Sequence, residues 1–235
     1  TTAHNKRDHL LIRDLVEPET EVVLLKGGKG GYGNHAGFPR TAGSPGKELE
    51  LVLSFKIIAQ VFLVGLPNSG KTTLLKRLTG AGVFETEYPF ATKAPRLGTY
   101  QSHFSQFRMC ELPAIYGASE GGRGLGTGFL KHLERACLVF FILDPRTEFA
   151  RDLKAGYDIL LNTVKRFNPA FGNLKRFIVV NKAELIMPKE RRIQGLDKDE
   201  RVFFISAKTG LGVERLMKAA EDVLGSPHET ASAIP

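Results

Sequence analysis

A glycine-rich loop between an apolar strand and a helix limits the fold of this chain more than any other feature. The strand is predicted over residues 61–64, and the segment GLPNSGKTT follows it directly. Its glycines let backbone N–H groups wrap a phosphate chain, Lys71 adds a cation to the outer phosphates, and Thr72 offers a hydroxyl to Mg²⁺. The residues expected around the phosphates are Gly65, Pro67, Asn68, Ser69, Gly70, Lys71, Thr72 and Thr73. The other interpretation is a fortuitous turn between a strand and a helix.

From residue 60 onward, apolar strands alternate with helical segments. Strands are predicted at residues 61–64, 107–111, 138–143, 177–180 and 202–205. Helices are predicted at residues 72–78, 129–136, 151–167 and 213–224. This order is typical of an α/β domain with a mostly parallel sheet and helices on both faces. Ligands of such domains bind at the carboxyl ends of the strands, where the phosphate loop also lies.

The first 58 residues differ in composition and are predicted to form a separate small β module. Short strands are predicted at residues 10–16, 21–25 and 49–58. Between Gly27 and Gly46 stand eight glycines, which suit either a flexible linker or extended polyproline II chains packed closely together. Tyr32 and Phe38 among these glycines disfavour a free linker. We therefore expect two domains, residues 1–58 and residues 59–235.

Two later motifs favour guanine over adenine as the base. Asn181-Lys182-Ala183-Glu184 follows the strand at 177–180, where GTP-binding domains carry Asn-Lys-x-Asp. The longer side chain of Glu184 can still accept two hydrogen bonds from guanine if the loop retreats slightly. Ser206-Ala207-Lys208 ends the next strand and matches the motif whose backbone N–H reads guanine O6. A P-loop kinase or ATPase acting on a small molecule would leave both motifs unexplained.

Composition restricts the class of protein and of partner. The formal net charge of +8 favours an acidic partner such as RNA, and a merely soluble basic surface is the alternative. No apolar run approaches the roughly 18 residues of a membrane-spanning helix. Cys110 and Cys137 lack metal-ligand spacing, so we expect two buried thiols in a reducing compartment. The chain begins with Thr1 without a leader pattern, so a targeting peptide is expected to be absent or removed.

The motifs around the phosphate loop resemble those of the Obg family of GTPases. The segments that resemble its switch regions are residues 88–92 for the first switch and residues 117–120, 124–126 and 129–135 for the second. The glycine-rich stretch leading to residue 60 resembles the last part of the Obg domain, which disfavours the linker interpretation. The similarity extends from about Leu11 to Leu224. Relative to the family, the first half of the glycine-rich domain and the carboxy-terminal accessory domain are expected to be missing.

The resemblance implies roles for residues in and near the switches. Thr92 would close onto Mg²⁺ and the γ-phosphate when GTP is bound. Glu111 and Ala114 stand where such GTPases carry the aspartate and glycine of Asp-x-Pro-Gly. Glu111 would then hold Mg²⁺ and the N–H of Ala114 would contact the γ-phosphate, although switching could be impaired. Ile115 and Tyr116 occupy positions where other GTPases orient the attacking water with a glutamine, which implies slow turnover.

The implied cofactors are GTP or GDP and Mg²⁺, with K⁺ as a further candidate. Asn68 matches the position that helps to seat a monovalent cation in potassium-stimulated relatives, and a loop-stabilising side chain is the equal alternative. The implied catalytic residues are therefore Lys71, Thr92 and Asn68. The implied metal ligands are Thr72, Thr92 and Glu111.

The resemblance also implies a function in ribosome assembly. Such a switch would dock on the large ribosomal subunit, contact its rRNA, its proteins and other assembly factors, and hydrolyse GTP slowly. The alternative is a degenerate assembly factor that binds GTP or GDP with little or no hydrolysis. The basic run at 189–192 either contacts rRNA or forms a solvated loop, and His132 and Arg135 are expected to face solvent or the switch. By analogy, the basic charge favours a mitochondrial matrix location over a bacterial, plastid or cytoplasmic one.

Overall fold

A computed structural model describes most of the chain. The described residues are 2–8, 10–15, 20–33, 41–54, 56–80, 84–85, 94–103, 105–115, 127–188, 191–196 and 199–225. The chain divides into two compact units, Thr1–Lys56 and Ile57–Pro235. This division falls close to the boundary between residues 58 and 59 that was expected from the sequence.

The smaller unit contains a three-stranded antiparallel sheet. Its strands are β1 (Thr2–Asn5), β2 (Leu11–Asp14) and β3 (Leu51–Ser54), and β1 lies between the other two. The sequence did not predict β1, because TAHN lacks the alternation of apolar and polar residues that marks a half-buried strand. The prediction of a strand at residues 21–25 is wrong, since this segment forms no strand and leaves Val23 78% exposed.

Two glycine-rich segments of the smaller unit run antiparallel in close contact. The N–H of Ser44 donates to the carbonyl oxygen of Lys29 at 2.9 Å, and the N–H of Thr41 donates to that of Tyr32 at 3.2 Å. A Cβ atom at Gly31 would lie 2.1 Å from the carbonyl oxygen of Thr41, far inside van der Waals contact. The described part of this stretch is therefore packed, as close approach of glycine backbones allows, and does not form a free linker.

The larger unit is built on a seven-stranded sheet. Its strands are β4 (Val61–Gly65), β5 (Phe84–Glu85), β6 (Arg96–Gln101), β7 (Gln106–Glu111), β8 (Leu138–Leu143), β9 (Arg176–Val180) and β10 (Arg201–Phe204). Their order across the sheet is β10-β9-β8-β4-β7-β6-β5. Strands β10, β9, β8, β4 and β7 pair in parallel, whereas β6 pairs antiparallel with both β7 and β5. The predicted mostly parallel sheet is confirmed.

Helices cover both faces of this sheet, as predicted. The α-helices are α1 (Lys71–Thr79), α2 (Leu153–Phe167) and α3 (Val213–Leu224), and 3₁₀ helices span Thr127–Arg135, Pro169–Asn173 and Ala183–Leu185. Because side chains alternate across a strand, Phe62 of β4 packs with Leu160 of α2 on one face. On the other face Leu63 packs with Leu74 of α1 and Leu216 of α3. Among the described helices none is long and apolar enough to cross a membrane.

Local sequence fixes the central strand and the helix that follows it. Strand β8 reads LVFFIL, and all six residues are buried, as is usual for a central strand of a parallel sheet. Helix α2 begins after Asp152, whose side chain accepts the N–H of Ala155 at 2.7 Å. That hydrogen bond is the main reason why the pKa of Asp152 is lowered. The connection from β8 to α2 is thus anchored at both ends, which places Asp144 at the edge of the sheet.

Two expectations about exposure are wrong. His132 does not face solvent, because it is fully buried and its Nδ1 atom accepts the N–H of Ile57 at 3.1 Å. The alternative, that it faces the switch, concerns residues 117–126, which lie outside the described residues. The helix of His132 is a 3₁₀ helix, in which the spacing of an α-helix no longer fixes the direction of a side chain. Cys110 is buried as expected, and burial raises its pKa, but Cys137 lies exposed in the bend before β8.

Candidate nucleotide-binding site

The candidate site lies where five parallel strands of the larger unit end. Strand β4 ends at Gly65 and β7 ends at Glu111. Asp144 follows β8, Asn181 follows β9, and Ser206 comes two residues after β10. Since parallel strands end at the same edge of a sheet, the phosphate loop and both guanine motifs meet there, as the sequence predicted.

The phosphate loop depends on residues with a left-handed backbone. Asn68 has a φ of 58°, and Gly70, the residue before α1, has a φ of 85°. A Cβ atom at Gly70 would lie 2.2 Å from Nδ2 of Asn181, so the loop tolerates only glycine at this position. The first turn of α1 carries no acidic residue. The backbone N–H groups that begin an α-helix and the helix dipole therefore favour an anion here.

Lys71 places its ammonium group inside the phosphate loop. Its Nζ atom donates to the carbonyl oxygens of Gly65 at 3.0 Å and Leu66 at 2.8 Å, and it lies 3.5 Å from Oγ of Ser69. Lys71 is only 5% exposed, and a buried ammonium group requires such acceptors. The predicted cation is thus already held where the outer phosphates are expected.

Thr72 and Glu111, two of the predicted metal ligands, are in direct contact. The hydroxyl of Thr72 donates to Oε1 of Glu111 at 2.6 Å, and Glu111 is 8% exposed. Within the described residues, Oε2 of Glu111 is buried without a hydrogen-bond partner. An unbonded carboxylate oxygen beside a hydroxyl fits Mg²⁺, which prefers oxygen ligands and keeps several waters. The described residues contain no group of three or more His, Cys, Asp or Glu residues that could hold a metal ion.

Asn181 connects the phosphate loop with the second guanine motif. Its Nδ2 atom donates to the carbonyl oxygen of Ser69 at 2.9 Å. Its Oδ1 atom accepts the N–H of Ala207 at 2.8 Å. Asn181 is 2% exposed, so both hydrogen bonds lie away from solvent. One amide side chain therefore fixes the distance between the two loops.

The charged residues of the guanine motifs lie nearer the surface, whereas Ala183 and Ser206 are buried. Lys182 has a φ of 58°, and its ammonium group forms an ion pair with the buried carboxylate of Asp144. Glu184 and Lys208 are exposed. Arg77 of α1 donates to the carbonyl oxygens of Ala207 and Lys208, which ties the helix after the phosphate loop to the second motif.

The structure describes only part of the predicted switch chemistry. Thr92, Tyr116 and residues 117–126 lie outside the described residues. Ala114 is half-buried and is not among the described residues with positive φ, so its backbone tolerates the Cβ atom. Ile115 is 3% exposed, and its N–H donates to the carbonyl oxygen of Gly65 at 3.1 Å. Asn68 and Thr73 are exposed, while Pro67 and Ser69 are buried.

Sequence reasoning missed three polar residues at the site. They are Arg77, Arg96 and Asp144. Arg77 stands about one helical turn beyond Thr73, and Arg96 begins a strand that was not predicted. Asp144 could have been found, because an acidic residue directly after a fully apolar strand lies at the ligand-binding edge of such a sheet.

These features define a P-loop GTPase domain, and comparisons with known proteins agree. The family model described as 50S ribosome-binding GTPase matches residues 60–182. A curated relative named GTPase Obg from Chlorobaculum tepidum is 36% identical over 92% of this chain and 66% of its own length. Another GTPase Obg, from Elusimicrobium minutum, is 35% identical over 94% of this chain and 50% of its own length. The chain belongs to the Obg family of P-loop GTPases.

The matches differ in how much of each protein they cover. The chain spans between half and about two thirds of the length of the two curated relatives. Among solved structures, the G domain of the T. maritima FeoB iron transporter is 21% identical, with a TM-score of 0.52. That match covers 72% of this chain and 100% of the other, and it shows the fold alone.

Proposed function

We propose that this chain binds GTP and GDP with Mg²⁺ at the carboxyl edge of its larger sheet and hydrolyses GTP slowly. The observation that carries the proposal is the buried side chain of Asn181, which is hydrogen-bonded to both the phosphate loop and the second guanine motif. This arrangement sets a phosphate site and a base site at a fixed separation. Membership in the Obg family supports a guanine nucleotide as the ligand.

Each part of the nucleotide would meet different groups. The N–H groups that begin α1 and the ammonium of Lys71 would bind the phosphates, and Thr72 and Glu111 would hold Mg²⁺. The ion would neutralise charge on the phosphates. The carboxylate of Glu184 would accept hydrogen bonds from guanine. Among the described hydrogen bonds the N–H of Ala207 is donated to Asn181, so we assign recognition of O6 to the N–H of Lys208.

Hydrolysis is proposed to be slow because the groups that orient water in other GTPases differ here. The N–H of Ile115 is bonded to the phosphate loop, and its apolar side chain is buried. Thr92 is proposed to close onto Mg²⁺ and the γ-phosphate. Asn68, with an exposed side chain and a left-handed backbone, is proposed to seat K⁺ beside the phosphates.

A second candidate is a factor of the same fold that binds nucleotide with little or no hydrolysis. The hydrogen bond between Thr72 and Glu111 favours it, because both groups are engaged with each other rather than free for a metal ion. A nucleotide that fails to separate this pair could still bind through its base and outer phosphates. The two candidates predict the same affinity and different turnover.

Single-turnover cleavage of GTP separates these candidates. We expect slow cleavage by the wild type that accelerates with large ribosomal subunits and is faster in K⁺ than in Na⁺. Lys71→Ala should bind GTP at least about 100-fold more weakly, because it removes charge-assisted hydrogen bonds to phosphate. Lys76→Ala, an exposed lysine on the same helix, is the matched control. A wild-type rate equal to that of Lys71→Ala under all conditions would leave only the non-hydrolysing candidate, and equal rates in K⁺ and Na⁺ would remove the role of Asn68.

We further propose that the protein docks on the large ribosomal subunit and assists its maturation together with other assembly factors. The description of its family model and a net charge of +8 support contact with rRNA and ribosomal proteins. The packed glycine-rich segments of the smaller unit are the proposed anchor. Their backbone contacts make this proposal testable with single substitutions.

Co-sedimentation with large subunits tests the anchor. Gly31→Ala should lose binding by at least about tenfold, because its Cβ atom would meet the carbonyl oxygen of Thr41 at 2.1 Å and separate the segments. Gly30→Ala is the matched control, since a Cβ atom there would meet nothing within 4 Å. Binding should also decline with salt. Equal sedimentation of both variants would show that the glycine-rich segments are not the anchor.

We also propose that the protein works in the mitochondrial matrix, with a bacterial cell as the alternative. The basic net charge supports a mitochondrial matrix protein, and the bacterial sources of the two relatives support a bacterial one. Fractionation of cells that carry the tagged protein would separate the two proposals.

A further inference from the structure

The guanidinium group of Arg96 lies beside Thr72 and Glu111, the two residues proposed to hold Mg²⁺. Arg96 begins strand β6 and lies opposite Glu111 in the register between β6 and β7. Its Nη1 atom donates to Oγ1 of Thr72 at 3.1 Å and lies 3.9 Å from Oε2 of Glu111. That carboxylate oxygen is the one without a hydrogen bond among the described residues. Thr72, Glu111 and Arg96 thus form one polar cluster, which we name the Arg96 cluster.

Arg96 and Mg²⁺ would meet at the same hydroxyl oxygen, that of Thr72. The hydrogen of the Thr72 hydroxyl points to Oε1 of Glu111, and the oxygen of that hydroxyl accepts from Arg96. Mg²⁺ would need that hydroxyl oxygen at about 2.1 Å, beside an N–H of Arg96 that already uses one of its two lone pairs. Two cations at such short range also repel each other. Movement of the Arg96 side chain away from Thr72 would relieve this conflict.

Arg96 has room to move and Glu111 does not. The side chain of Arg96 is 37% exposed, whereas that of Glu111 is 11% exposed. Displacing the Arg96 side chain toward solvent would remove its contacts with Thr72 and Glu111. The structure holds the cluster closed by Arg96, and a displaced side chain would admit the metal ion.

We propose that the positively charged side chain of Arg96 blocks Thr72 and Glu111, the proposed ligands of Mg²⁺. It thereby raises the concentration of Mg²⁺ that is needed for tight binding of a guanine nucleotide. The inference rests on the nucleotide and metal site proposed above. It makes Arg96 a positioning residue that acts through Thr72 and Glu111. The wild type should then need a higher concentration of free Mg²⁺ to bind a guanine nucleotide than a variant that lacks the positive charge of Arg96.

Titration of a fluorescent guanosine diphosphate with free Mg²⁺ tests the inference in the full chain. We expect Arg96→Gln to lower the Mg²⁺ concentration at half-maximal binding by roughly tenfold, because it removes a charge a few ångströms from the ion. Arg108→Gln is the matched control, since it removes an exposed positive charge from the neighbouring strand β7. Its midpoint should equal that of the wild type. Arg96→Met keeps the unbranched stem and replaces Arg96→Gln if that variant melts below the working temperature.

The possible failures are distinguishable. Nucleotide binding with the same Mg²⁺ midpoint in the wild type and the Arg96 variants would overturn the inference and leave the nucleotide site standing. A similar shift in Arg108→Gln would also overturn it, because the effect would then be one of net charge. No binding by any variant at any Mg²⁺ concentration would overturn the nucleotide site and the inference together.

Discussion

The two halves of the candidate site differ in how firmly the protein holds them. On the phosphate side Lys71, Ser69 and Glu111 are nearly or fully buried and bonded to the loop or to each other. On the base side Glu184 and Lys208 are exposed. The phosphate half is therefore held by hydrogen bonds within the protein, whereas these groups of the base half are exposed to solvent. This difference suggests that affinity depends mainly on the first half and selectivity on the second.

Asn181→Ala should give the largest effect because it removes the link between the halves. The substitution leaves the carbonyl oxygen of Ser69 and the N–H of Ala207 without partners in a buried place. We expect the free energy of unfolding to fall by about 2–4 kcal/mol. Affinity for guanosine and inosine diphosphates should fall by the same factor, because the separation of the loops changes. Chemical denaturation and equilibrium binding measure the two quantities.

Asn162→Ala provides the control for that substitution. Asn162 is an exposed residue of α2, and its replacement should change the unfolding free energy by no more than about 0.5 kcal/mol. If Asn181→Ala weakened guanosine diphosphate alone and left inosine diphosphate unchanged, Asn181 would act only through the 2-amino group, the one group that distinguishes guanosine from inosine. A residue other than Asn181 would then have to connect the two halves of the site.

The sequence predicted the parts of the site that are contiguous in the chain better than the parts that are brought together from distant segments. Gly65 to Thr73 is one contiguous loop whose spacing is set by the phosphates, so the sequence was enough. The sequence did not predict the contact between Thr72 and Glu111, and only the family resemblance implied that both bind the same metal ion. Arg96 could not be placed, because its position depends on the antiparallel pairing of β6 with β7, which no local pattern reveals.

The fold shows the same limit. Strands β4, β8 and β9 are continuous apolar runs, and the sequence predicted each of them to within a residue at either end. Strands β1 and β6 have mixed composition, and pairing with neighbouring strands rather than intrinsic pattern makes them strands. Burial of His132 was missed for a related reason, since its partner, the N–H of Ile57, is 75 residues away in the chain.

Glu184→Asp should give the smallest effect and the sharpest test of the base half. A shorter carboxylate restores the acid found at this position in other GTPases and should raise the affinity for guanosine diphosphate relative to inosine diphosphate by about threefold to tenfold. Only guanosine carries the 2-amino group, so the ratio reports on that contact alone. Glu148→Asp, at an exposed position after β8, is the control and should leave the ratio unchanged. An unchanged ratio in Glu184→Asp would mean that Glu184 does not contact the 2-amino group, and an equal gain for both nucleotides would mean that the gain comes through N1–H, which both bases carry.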